Sequence, residues 1–275
     1  MELTVLWTIA QQELREALRH KWLLFYALGF AVLALALSQA GLSSAGYSGL
    51  GGFGRTAASL VNALLLFVPL LGLSVGAGTL AGDRERGTLF YLLAQPVSRA
   101  EVFFGKALGA VLAVVAALAV GFGLSGLGLA SADGGDPTTY LALAGYALLL
   151  ALVSLGIGFV ISALTRKGAT ALGAAMIVWL GLVFFGDLGV IGATLTLRPT
   201  PAQLLAMVLI NPLQVFKLAS IYSLRATLDT LGATGQFAVY RYGELLPVFL
   251  LALLFGWIVA SFGLAFVLFS RRGNA

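Results

Sequence analysis

Six long runs of apolar residues constrain this chain more than anything else in it. They are Trp22–Ala40, Ala57–Ala81, Ala107–Ala130, Tyr140–Leu164, Gly168–Gly186 (continuing past Asp187 to Val190, or as far as Leu197) and Leu245–Ser270. A hydrocarbon layer of ~30 Å takes about 20 helical residues to cross, and each run suffices. Within lipid every backbone N–H and C=O must find a partner inside the protein, so only helices and closed barrels span. These runs are too long and too continuous for the alternating strands of a barrel. The expected fold is all-α: an integral membrane protein of six transmembrane helices, in one domain over 1–275. Composition agrees, with 60% of the 275 residues hydrophobic and only 10% charged, against about 25% charged in a soluble domain.

The net charge of +5 does not point to nucleic acid, because the basic residues sit in short gaps between apolar runs. Their placement orients the chain. With the N-terminus inside, the inner segments carry Arg15, Arg19, Lys21, Arg84, Arg86, Arg99, Lys106, Arg166, Lys167, Arg271 and Arg272. The outer ones carry Arg55, Arg198, Lys217, Arg225 and Arg241, four of them in one long loop. Lys and Arg favour the cytoplasmic side of short loops, so both termini are expected in the cytoplasm. The start has no basic segment leading straight into an apolar core, so no cleavable signal peptide is expected.

Residues 4–21 form an amphipathic pattern. Leu3, Leu6, Trp7, Ala10, Leu14, Ala17 and Leu18 recur at helical spacing, with Thr8, Gln12, Arg15, Glu16 and Arg19 opposite. This predicts a helix lying in the membrane interface, followed by the first span at Trp22. The long outer segment 191–244 holds an apolar piece, Ala202–Ile210, too short to span and ended by Asn211-Pro212. It reads as a re-entrant or interfacial helix. Leu213–Leu231 reads as a surface helix and Gly232–Gly235 as a loop. Pro69 and Pro247 fall within spans and predict kinks.

No soluble catalytic chemistry is visible. Gly105-Lys106 lacks the earlier glycine and the Ser or Thr of a phosphate-binding loop. His20 is the single histidine and cysteine is absent, which leaves no basis for a His relay, a thiolate metal site or disulfides. Met1, Met176 and Met207 are scattered. Catalytic, cofactor and metal sites are therefore expected to be absent from this chain. An ionisable residue inside a membrane is a functional candidate, and the spans as drawn contain none. That argues against a proton- or sodium-coupled carrier. Asp187 falls near the outer boundary. Asn62, Ser74, Thr79, Ser125, Ser154, Ser162, Thr170 and Ser261 are expected to serve mostly as interhelical hydrogen bonds.

The inner segment 82–106 is the most informative. It reads as a charged turn (Gly82-Asp-Arg-Glu-Arg-Gly87), a short apolar helix from Thr88 to Ala94, a stop at Pro96, and a second helix start capped by Ser98 with Glu101 three residues on. Thr88 suits an N-cap, and Gly87 suits a turn with positive φ. An apolar helix at the surface must bury against the membrane or against a groove in a partner.

Glu85-x-Gly87-Thr88-Leu89, Leu92-Leu93, Pro96-Val97-Ser98-Arg99 and Gly105-Lys106 together resemble the inner loop of ABC-2 type permeases, the membrane subunits of certain ABC transporters. Glu13-Leu14, Arg19 and Lys21-Trp22 resemble that family's opening interfacial helix. Within the family, Gly82–Leu89, Phe185-Gly-Asp187-Leu188 and Asn211-Pro212-Leu-Gln-Val-Phe-Lys-Leu218 are most similar to the permeases of the copper-site maturation system of nitrous oxide reductase. The resemblance implies a non-catalytic subunit of a bacterial inner membrane, paired with a second copy and with a cytoplasmic ATPase that holds the ATP and Mg²⁺. Glu85, Gly87, Thr88, Leu89, Leu92, Leu93, Pro96 and Arg99 would form the coupling loop. The outer side would meet a periplasmic β-helix subunit. An exporter of lipid, drug or polysaccharide is the alternative within the family, and an ATP-independent channel or carrier the one outside it.

Overall fold

The computed structural model describes residues 3–19, 25–26, 28–29, 31–32, 51–130, 137–197, 199–223 and 232–272. Its helices are α1 (Leu3–Arg19), α2 (Gly51–Arg86), α3 (Thr88–Leu93), α4 (Arg99–Ala130), α5 (Pro137–Leu164), α6 (Gly168–Leu197), α7 (Pro201–Ile210), α8 (Pro212–Ser223), α9 (Gly232–Tyr242) and α10 (Leu246–Arg272). No strand occurs among the described residues. Five of the six expected spans are present as long apolar helices. The first, with Trp22, lies mostly outside the described residues.

Helix α5 is the hub, packing along α2 and then along α10, while α8 lies against α5, α10 and α2. Gly72 and Gly76 on α2 bring the two backbones together. A Cβ at either would overlap a backbone carbonyl of α5, at Ala151 and at Leu155 respectively. Small residues at such a crossing suit a membrane bundle, where helices gain most by close packing. Ser162 of α5 adds a polar link. Its hydroxyl donates to the Ala77 carbonyl at 2.8 Å and accepts from the Ala81 amide at 2.8 Å, the pair that bond each other in a regular helix. Phe103, Phe159 and Phe266 join α4, α5 and α10, with ring centroids 5.7 and 5.4 Å from Phe103.

Several expectations change. Ser154, Thr79 and Ser261 bond carbonyls of their own helices rather than neighbours, since a hydroxyl reaches its own preceding turn first. The described part of the expected surface helix Leu213–Leu231, up to Ser223, does not lie at the surface, and 224–231 fall outside the described residues. Helix α8 is buried, with Val215, Phe216 and Ser220 fully inaccessible. Of its polar side chains, Gln214 and Lys217 bond Asp187, while the buried Ser220 hydroxyl has no partner among the described residues. Helix α7 meets α8 at 111° and buries Leu204, Leu205 and Val208, so Ala202–Ile210 is the less buried arm of a bent pair. The expected loop at Gly232–Gly235 is the first turn of α9. Pro247 kinks nothing, because it is the second residue of α10, where a missing N–H costs no hydrogen bond. The chain turns instead at Gly243, whose φ is 53°. Pro69 does lie within a helix, α2.

The α2–α5 crossing generates a paired prediction. Gly76→Ala should destabilise by about 1–3 kcal/mol through overpacking. Gly78→Ala, whose Cβ would meet nothing within 4 Å, should be neutral or mildly stabilising. Thermal unfolding in detergent compares the two, and equal losses would contradict the packing described.

Candidate functional site

The segment 82–106 lies at the end of the bundle that carries most of the basic residues. The helices on either side reach further into it than the apolar runs suggest, α2 to Arg86 and α4 back to Arg99. Asp83 and Lys106 are therefore buried ends of long helices, at 3% and 4% exposure. Both lie just beyond the apolar runs as drawn, in the helical extensions, and each is neutralised from a different part of the sequence.

Gly87 breaks the helix with φ 76° and ψ −3°, the left-handed region that glycine enters without strain. Thr88 is not an N-cap. It opens α3, and its hydroxyl donates back to the Asp83 carbonyl at 3.2 Å, closing the end of α2. Helix α4 starts as its sequence predicts: the Ser98 amide donates to Glu101 Oε2 at 2.9 Å and the Glu101 amide to Ser98 Oγ at 3.2 Å, a reciprocal capping box.

The charged residues of this turn reach out to neighbouring helix ends. Arg84 donates to the Ser162 and Thr165 carbonyls at the end of α5. Glu85 accepts from the Gly168 amide that opens α6, at 2.8 Å. Arg99 donates to the Ser270 carbonyl near the end of α10 at 2.9 Å. Each supplies a partner and the favoured sign of charge to a helix terminus. The turn is thus tied to three other helices.

Helix α3 then divides its apolar residues. Leu89 is 4% exposed and Leu92 and Leu93 pack against the core, so these three hold α3 to the bundle. Phe90 and Tyr91 point away, 66% and 80% exposed, beside exposed Pro96. The sequence singled out the leucines and missed this aromatic pair. Its signal was there: in a six-residue helix with leucine at its first, fourth and fifth apolar positions, the residues between must face outward.

Helix α1 presents three faces. Ile9, Ala10 and Glu13 are buried against Gly105 and Gly109, where a Cβ would come within 2.9 Å of Ile9 and 2.6 Å of Glu13 Cβ. Leu3, Trp7 and Leu18 form an exposed apolar stripe, suited to a membrane interface. Arg15 and Arg19 are exposed beyond it. Glu13 belongs to none of the polar face. It pairs with Lys106 at 2.5 Å, and burial raises its carboxyl above the ordinary range while Lys106 opposes the rise.

At the opposite end, Asp187, Asn211 and Pro212 do come together. Asp187 Oδ1 accepts from Lys217 Nζ at 2.9 Å and from Gln214 Nε2 at 3.0 Å. Asn211 donates to the Leu182 carbonyl at 2.6 Å and accepts from the Leu213 amide at 3.0 Å. Pro212 starts α8. These contacts fix the α7–α8 corner on α6 and are occupied by structural partners.

The turn at Gly87 yields a stability prediction. Gly87→Val should cost about 1–2 kcal/mol from the left-handed backbone alone, because a Cβ there meets nothing within 4 Å. Gly87→Asn should cost less. Thermal unfolding in detergent measures both, and a neutral valine variant would contradict the conformation.

Known proteins share this sequence along its length. Residues 7–273 match the ABC-2 family transporter protein model. A protein of Stutzerimonas stutzeri named probable ABC transporter permease protein NosY is 32% identical over 277 residues, covering 97% of this chain and 98% of that one. Its namesake in Pseudomonas aeruginosa is 31% identical over 279 residues, covering 98% of each. With the family matched end to end on an all-helical membrane bundle, this chain belongs to the ABC-2 transporter family and is a membrane permease subunit of an ABC transporter.

Proposed function

We propose that this permease is driven through α3, with Phe90 and Tyr91 seated in an apolar groove of a cytoplasmic ATPase subunit. One observation carries the reading. Two large aromatic side chains are left in the open on a helix that is otherwise anchored by its leucines and surrounded by side chains tied to neighbouring helices. Exposed aromatics rimmed by polar groups are the composition of a binding hot spot. The exposed charges at this end include Arg86, Arg166 and Lys167, and one acid, Glu85. In this reading the basic end is the cytoplasmic side of a bacterial inner membrane, both termini included. ATP and Mg²⁺ belong to the ATPase, and this chain binds no cofactor and catalyses nothing. Two copies pair so that two ATPase subunits can close beneath them.

The subfamily reading rests on the likeness to the permeases named NosY and on the residues around Asp187 and Asn211. It places this chain in copper-site maturation of nitrous oxide reductase, relaying ATP-driven motion to a periplasmic β-helix subunit. Exposed Ile210 of α7 and Tyr240 of α9, on helices that pack together at the far end, suit such a contact.

Replacing Phe90 and Tyr91 together by glutamate should weaken ATPase co-purification by at least ~30-fold, the equivalent of about 2 kcal/mol for a buried aromatic anchor. Membrane insertion and elution volume should not change. Undiminished co-purification would remove α3 from the interface.

A further inference from the structure

Five charges at the basic end form a chain that starts and ends on α1, three of them buried (Glu13, Asp83 and Lys106) and two open to solvent (Arg86 and Glu16). Lys106 Nζ of α4 lies 2.5 Å from Glu13 Oε2 of α1 and pairs also with Asp83 of α2. Asp83 Oδ1 is 2.9 Å from Arg86 Nη2, which approaches Glu16 Oε2 of α1 at 3.7 Å. The order Glu13, Lys106, Asp83, Arg86, Glu16 alternates in sign and returns to the helix it started from. Asp83 and Lys106 bracket the turn that bears α3, so their pair closes its base. Both are almost inaccessible, as is Glu13.

We propose that this ring makes α1 part of the coupling element, with Lys106 as the positioning residue through which motion of α3 reaches the membrane interface. The inference rests on the ATPase-coupled reading above. Its physical basis is that a buried ion does not leave its partner without stranding a charge away from water. Helix α1 cannot slide over the base of the turn while Lys106 holds both Glu13 and Asp83. Contact through Gly105 and Gly109 adds registration: a Cβ would meet the Ile9 side chain at the first, and the Ala10 carbonyl and Glu13 Cβ at the second. The outer stripe of α1, Leu3, Trp7 and Leu18, is the part left to meet lipid. A push at Phe90 and Tyr91 therefore moves an interfacial helix as well as the ends of α2 and α4.

Hydrogen exchange on the permease–ATPase complex in lipid nanodiscs, with and without a non-hydrolysable ATP analogue and Mg²⁺, tests this. In the native chain, nucleotide should change amide exchange in both 88–93 and 3–19. The single variant Lys106→Met strands two carboxylates and can fail to fold. The decisive variant is Glu13→Gln/Asp83→Asn/Lys106→Met, which neutralises all three together at nearly constant volume. Its 88–93 segment should still respond to nucleotide, and the response of 3–19 should be lost. A 3–19 segment that responds as in the native chain would overturn the inference. So would a native 3–19 segment that stays silent while 88–93 responds. Loss of ATPase co-purification in the variant alone would also overturn it, by placing the ring in docking. Absence of ATPase from the native permease as well would instead remove the reading on which the inference rests.

Discussion

Charges buried at the end of a membrane helix have to be paired, and the basic end of this molecule is arranged around that need. Lys106 sits between Glu13 and Asp83, three residues from three helices. Removing one partner of such a buried set costs about 3–5 kcal/mol, so the three helices are held in one register. Because these ions satisfy each other, α2 and α4 run on as helices beyond their apolar stretches. The turn between them is short for the same reason: twelve residues, Gly87 to Ser98, remain between the end of α2 and the start of α4.

Around this base, other side chains cap the neighbouring helix ends. Arg84 closes α5, Glu85 opens α6 and Arg99 reaches the end of α10. These are charge-assisted bonds to backbone groups that have no partner within their own helices. Together with the leucines beneath α3 they leave Phe90 and Tyr91 exposed on it. In the proposed reading, a displacement applied there would reach α1, α2, α4, α5, α6 and α10 through these contacts. The far end has a different character: Asp187 and Asn211 are spent on holding the α7–α8 corner.

What the sequence revealed was local or periodic. Long apolar runs disclose spans, Ser98 and Glu101 disclose a helix start three residues apart, and Gly87 discloses a left-handed turn. The three-charge cluster was hidden because Glu13, Asp83 and Lys106 are far apart in the chain, and each looks solvated beside its own neighbours. Helix α8 was misread because Gln214 and Lys217 give it a surface composition, while Asp187 on another helix satisfies both. Pro247 was misread because a proline near the edge of an apolar run is the same residue whether the helix begins before it or far upstream. The candidate site was half legible: the segment was singled out and its leucines named, but Phe90 and Tyr91 were passed over, since orientation depends on which side of a six-residue helix the bundle occupies.

The account makes this permease a lever whose handle is the aromatic pair on α3 and whose fulcrum is the charge cluster behind it. Site-specific photo-crosslinking tests that most directly. A benzophenone amino acid placed at Tyr91, in membranes containing the ATPase subunit, should give an adduct with that subunit, while the same probe at Tyr240, 90% exposed at the far end, should not. No ATPase adduct at Tyr91, or one at Tyr240 instead, would contradict the account.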